Sequence, residues 1–185
     1  TYYLATLLLP PAKRPYVHAL YGFARYADEI VDDLASTLTE QEKADWLGEW
    51  GRSFLDDVDR GWSDDPICRA VVDTVLRWDI PKTHFEAFLH SMTMDLTVTE
   101  YRTYDDLYEY VYGSAAVIGL QMVPILEPTS PEAYDRATDL GVAGRDIYFG
   151  YGRVNAAEAV KLAMATTGTA TTSDTQAPTA SISAP

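Results

Sequence analysis

The chain predicts an all-α fold, and three observations carry that prediction. Apolar residues recur at helical spacing through most of the sequence before about residue 140. Strand-like alternation is rare. Prolines and Ser/Thr/Asp residues fall where helices would begin, which is where their backbone chemistry is favoured.

The elements follow in order. Pro10 and Pro11 break the opening run, residues 2–9, because a proline ring removes a donor and clashes with the preceding turn. The next helix is expected over residues 14–34. Thr39 followed by Glu42 has the spacing of a capping box and opens a helix to about Val58. Residues 61–65 read as a turn. Pro66 suits the first position of a helix carrying Ile67, Ala70, Val71, Thr74, Val75 and Trp78. Pro81 starts another, with Phe85, Phe88, Leu89, Met92 and Leu96 at helical spacing. Thr103 and Asp106 repeat the cap spacing ahead of residues 107–126. Ser130, Pro131 and Glu132 then cap a helix to about Leu140.

Composition narrows the function. A length of 185 residues allows one domain, or one plus a fragment, and 47% apolar with 12% aromatic residues is enough to build a core. Acidic residues outnumber basic ones 28 to 14, for a net charge of −14. That balance excludes a nucleic-acid partner, because phosphate contact needs a Lys/Arg surface. An acidic chain still binds phosphorylated ligands where a divalent metal bridges the two. The lone Cys68 makes no internal disulfide. No run approaches the ~18–20 consecutive apolar residues of a membrane span: the longest, residues 115–126, is interrupted by Gly119, Gln121 and Pro124. Thr1 is not a natural start and no signal peptide opens the chain, so a longer reading frame is expected. A cytoplasmic location is expected, with peripheral membrane contact left open. Residues 166–185 hold seven Thr, three Ser and two Pro with one charge, Asp174, and read as a disordered linker.

The informative segment is residues 21–33 (YGFARYADEIVDD). On a helix Tyr21, Arg25, Asp28 and Asp32 stand at i, i+4, i+7 and i+11, in one narrow stripe. Asp28 adjoins the apolar stripe of Val17, Leu20, Ala24, Ala27 and Val31, so the four are expected to point inward. Two carboxylates one turn apart repel unless something positive lies between them. Mg²⁺, with Mn²⁺ as substitute, suits such a pair, taking one or two carboxylates plus phosphate oxygens and waters. Arg25 can fork to the same phosphate. A solvated acidic face paired with Arg25 is the other reading of these residues. Phe88, Met92 and Asp95 share a face, which draws Asp95 inward; it can also cap a helix or pair with Arg102. The small residues of 110–119 either let helices approach closely or leave room for a long apolar ligand.

Residues 1–10 (TYYLATLLLP), 18–33 (HALYGFARYADEIVDD), 94–101 (MDLTVTEY) and 110–126 (YVYGSAAVIGLQMVPIL) resemble bacterial members of the squalene/phytoene synthase family. The resemblance covers residues 1–143. It implies an isoprenoid synthase helical fold around a central cavity. The implied activity is a prenyltransferase of carotenoid biosynthesis, joining two geranylgeranyl diphosphates head to head, through a cyclopropyl diphosphate, to phytoene. It places Asp28 and Asp32 as the metal-holding pair, with Tyr21 and Arg25 as diphosphate contacts. Tyr2, Asp95, Tyr110 and Gly119 fall among the substrate-binding positions.

The resemblance stops where the family's second motif, Asn-x-x-Arg-Asp, should come. Residues 144–160 instead read GRDIYFGYGRVNAAEAV. Residues 144–165 are similar to the C-terminal helix of subtilisin-like proteases, and the chain reads as a truncated chimera with its activity impaired. A protease is excluded, because His18, His84 and His90 lie outside any triad motif and no matching serine motif is present. A non-catalytic, metal- or diphosphate-binding helical fragment, or the remnant of a secreted subtilisin-like protease, is the alternative.

Overall fold

Local chemistry sets the helix boundaries. The computed structural model describes residues 2–33, 35–138, 145–146 and 150–151. Its helices are α1 (Tyr2–Thr6), α2 (Arg14–Asp32), α3 (Glu40–Arg60), α4 (Pro66–Trp78), α5 (Lys82–Thr97), α6 (Tyr104–Val111), α7 (Val117–Leu126) and α8 (Glu132–Thr138). A π-turn, Tyr112–Ala116, joins α6 to α7. A two-residue antiparallel pairing, Arg145–Asp146 with Gly150–Tyr151, adds to the helices that the sequence pattern anticipates.

Both expected capping boxes form. Thr39 Oγ1 accepts from the Glu42 amide at 3.2 Å while Glu42 Oε2 accepts from the Thr39 amide at 2.8 Å. Thr103 and Asp106 repeat the exchange at 3.1 and 3.0 Å. Asp65 caps α4 by accepting from the amides of Ile67 and Cys68. Replacing Thr39 by alanine leaves first-turn donors of α3 without a partner. A loss of about 1 kcal/mol is expected by urea denaturation, and an unchanged midpoint would show the cap to be idle.

The core gathers around α2, which packs against α3, α4, α5 and α7. Phe23 lies at its centre, 1% exposed. Its ring meets Phe54 at 4.5 Å, Trp50 at 4.8 Å, Phe85 at 5.5 Å and Phe88 at 5.9 Å between centroids. Val71, Val72, Leu47 and Val117 close the surrounding layer.

One sequence expectation needs correction here. The segment Tyr104–Leu126 is a continuous helix of 23 residues, long and apolar enough by length and composition to cross a membrane, with mean hydropathy 1.2 over its richest window. Interruptions by Gly119, Gln121 and Pro124 do not break it. Its second half buries Val117, Leu120, Val123 and Ile125 in the core, which accounts for that apolar content. The extension of α8 to Leu140 and disorder over 166–185 fall outside the described residues.

Candidate active site

Helical geometry decides which part of the aspartate stripe faces inward. Buried positions on α2 are Val17, Leu20, Phe23, Ala27, Ile30 and Val31. At about 100° per residue, their arc is centred roughly 130° away from the stripe of Tyr21, Arg25, Asp28 and Asp32. The inward-pointing expectation is therefore corrected. The stripe runs along the margin of the core, with Tyr21 44% exposed and the Arg25 side chain 53% exposed. Asp28 lies nearest the core edge and is half-buried, and Asp32 is exposed.

That margin is one wall of a cavity of about 610 Å³. Asp28, Val31 and Asp32 of α2 line it with Glu40 and Lys43 of α3. Met92, Asp95 and Leu96 of α5 form the opposite wall, with Tyr110 of α6 and Ser114 of the π-turn. Of the residues singled out in the sequence, the fold brings Asp28, Asp32, Asp95 and Tyr110 together around one space. Tyr21, Arg25 and Gly119 are not on its walls. Gly119 packs instead against α8, where a Cβ would lie 2.9 Å from the Ala137 carbonyl oxygen. It packs α7 closely against α8. The Tyr2 side chain lies outside those described.

On that far wall Tyr110 stands beside Asp95, and each perturbs the other's titration. Asp95 is exposed and does not pair with Arg102, which bonds to Glu100 at 3.2 Å. Partial burial raises the Asp95 carboxyl above the usual carboxylate range, against the lowering effect of Tyr110. The charges of Asp32 and Asp28 raise it further. The same burial, with the Asp95 carboxylate beside it, pushes Tyr110 up to about 12. The cavity thus sets a carboxylate pair opposite a carboxylate–phenol pair.

Cations frame the α2 wall. Arg25 Nη1 donates to Asp28 Oδ2 at 2.6 Å, and its other nitrogen bonds Glu29. The last turn of α2 contains no basic residue, although acids there oppose the negative pole of the helix dipole. Lys43 supplies the missing charge from α3: its Nζ donates to the Val31 carbonyl at 2.8 Å and to the Asp33 carbonyl at 3.0 Å. Sequence reasoning missed Lys43. Its role depends on the chain doubling back between α2 and α3, and no periodicity marks that contact.

Among the described residues no three His, Cys, Asp or Glu side chains cluster as a metal cage. The arrangement offers two carboxylates one turn apart, open to the cavity, with apolar Val31, Met92 and Leu96 beside them. Such a wall can share a cation with a phosphorylated ligand whose remainder is apolar.

Fold and site together define an all-α body of the isoprenoid synthase kind. A crystal structure of a dehydrosqualene synthase in complex with ligand superposes with a TM-score of 0.64 at 28% identity, over 76% of this chain and 47% of that one. The squalene/phytoene synthase profile matches residues 1–144, and the chain belongs to that family. It is similar to phytoene synthase 1 of Arabidopsis thaliana, 35% identical over 78% of this chain and 35% of the relative. It is likewise similar to 15-cis-phytoene synthase of Synechococcus elongatus, 32% identical over 78% of this chain and 50% of the relative. The chain therefore spans about a third to a half of the length of these curated relatives.

Proposed function

We propose that residues 1–143 are the diphosphate-binding part of a cytoplasmic head-to-head prenyltransferase, of the kind that makes phytoene from two geranylgeranyl diphosphates in carotenoid biosynthesis. The observation that carries this reading is the Asp28–Asp32 wall facing Asp95 and Tyr110 across one cavity. The similarity to phytoene synthases supports it.

The donor set fits Mg²⁺, or Mn²⁺ in its place. These ions need only one or two carboxylates when the substrate's phosphate oxygens and waters complete the shell. Asp28 and Asp32 would hold the ion, which when bound neutralises charge building on the departing diphosphate. Arg25 already fixes the Asp28 carboxylate, and it and Tyr21 one turn before it would take diphosphate oxygens outside the carboxylate wall. Tyr110 stays protonated at neutral pH, so it presents a neutral hydroxyl dipole and an aromatic face to developing positive charge. Val31, Met92 and Leu96 give the prenyl chain a wall without competing nucleophiles. Residues 144–160 hold no Asn-x-x-Arg-Asp motif, so we place the 185-residue chain as impaired in turnover.

Calorimetry with a non-ionisable geranylgeranyl diphosphate analogue tests the site. Binding should be at least about tenfold tighter with Mg²⁺ than with chelator, roughly 1.4 kcal/mol. Asp28→Asn with Asp32→Asn should abolish the difference. Equal affinities with and without the metal would refute the reading, because a merely solvated acidic face shows only weak, salt-screened dependence.

A further inference from the structure

Tyr110 and Asp95 line the cavity from two different helices, and the residues that set their register lie away from the cavity surface. The helix that carries Tyr110 widens just after it, with the Val117 amide bonding back five residues to the Tyr112 carbonyl. Turns of this kind insert one residue and rotate the helix on their N-terminal side relative to the helix on their C-terminal side. Here the widened turn is pressed onto α5. A Cβ at Gly113 would overlap Ser91 Oγ and the Ala87 carbonyl oxygen, so this approach admits only glycine. Ser91, fully buried on α5, donates from Oγ to the Tyr110 carbonyl oxygen at 3.0 Å. Asp95 lies one turn beyond Ser91 on the same helix, so one stretch of α5 grips the Tyr110 backbone and carries the carboxylate that lines the cavity with Tyr110.

We infer that Ser91 is a positioning residue of the site, which, through the glycine-lined π-turn, holds the Tyr110 side chain on the cavity wall beside Asp95. Its significance for substrate rests on the function proposed above, while its geometry does not. A buried serine hydroxyl is an exacting tether. Removing it leaves the Tyr110 carbonyl without this donor in a dry interface, and the turn is then free to settle one contact away. The expected consequence is a rotated Tyr110 whose phenol no longer stands beside Asp95.

The test uses the 185-residue chain labelled with ¹³Cζ-tyrosine, without metal or prenyl ligand, so it is decided independently of the proposed function. Loss of one resonance in Tyr110→Phe identifies the Tyr110 signal, and Asp95→Asn marks its position once the neighbouring charge is gone. Ser91→Ala should move the Tyr110 resonance by at least half of that interval while Tyr16 and Tyr134 keep theirs. A Tyr110 resonance left in place, or all tyrosine signals moving together, overturns the inference. If Ser91→Ala loses helical circular dichroism, Ser91→Cys, which keeps the shape and a weak donor, decides in its stead. A selective partial shift of Tyr110 supports the tether and no shift refutes it.

Discussion

Replacing Phe23 with alanine is expected to cost about 3–5 kcal/mol, the range for deleting a fully packed aromatic ring. Folded domains keep only about 5–15 kcal/mol in reserve, so the substitution should consume about a fifth of that or more. Phe23 is the ring on which Trp50, Phe54, Phe85 and Phe88 all converge. Those neighbours belong to α3 and α5, which leaves no flexible surface group to swing into the gap. Thermal unfolding by circular dichroism should fall by about 10–20 °C, and α2 with its aspartates should go with it. A loss below about 1 kcal/mol would show that the aromatic cluster is not the organising core. Because Phe23 does not line the cavity, the same measurement separates stability from the binding changes expected at Asp28 and Asp32.

The second large effect is on turnover. Given geranylgeranyl diphosphate and Mg²⁺, the 185-residue chain is expected to form no phytoene and to release diphosphate on the order of 10³-fold more slowly than a phytoene synthase of full family length. Losing even one preorganised group that stabilises developing charge costs on the order of 10²–10³ in rate. The second carboxylate cluster is absent from residues 144–160, and the cavity leaves Asp32 and Asp95 in contact with water. Carbocation chemistry needs a dry enclosure, since water captures the intermediate. Product extraction with chromatography, beside a coupled diphosphate assay, reads both quantities. Phytoene at rates typical of the family would show that the Asp28–Asp32 pair and this cavity suffice without the second motif, and the account of the site would then be wrong.

Much of the fold was legible because its signals are short-ranged. The Thr39–Glu42 and Thr103–Asp106 boxes are closed by residues three apart, and both form as read. Pro66 and Asp65 start α4 through contacts within one turn. The site was legible only in part. Asp28 and Asp32 share a face by periodicity alone, and Met92 and Asp95 lie on one wall as their spacing implies. For Gly119 the sequence left close packing and room for a ligand equally open, because a small residue in a helix reads as either, and only the tertiary structure shows Ala137 beside it. Periodicity also placed the whole Tyr21–Asp32 stripe inward. The aromatic Phe23 draws the core arc of α2 round to its own side, leaving the stripe at the margin.

By itself, then, the sequence determined the helical class, the helix starts, the family and the pairing of Asp28 with Asp32, since each is written in spacings within a few turns or in contiguous motifs. The tertiary structure alone decided which groups stand opposite that pair. Tyr110 stands beside Asp95, Lys43 grips the carbonyls of Val31 and Asp33, and Ser91 tethers the Tyr110 backbone, across separations of 15, 12, 10 and 19 residues. Contacts of that kind depend on how helices dock, and docking is settled by the summed burial of rings such as Phe23, Phe54 and Phe85. No local pattern encodes that sum, so the partners of a cavity residue emerge only once the core has closed around it.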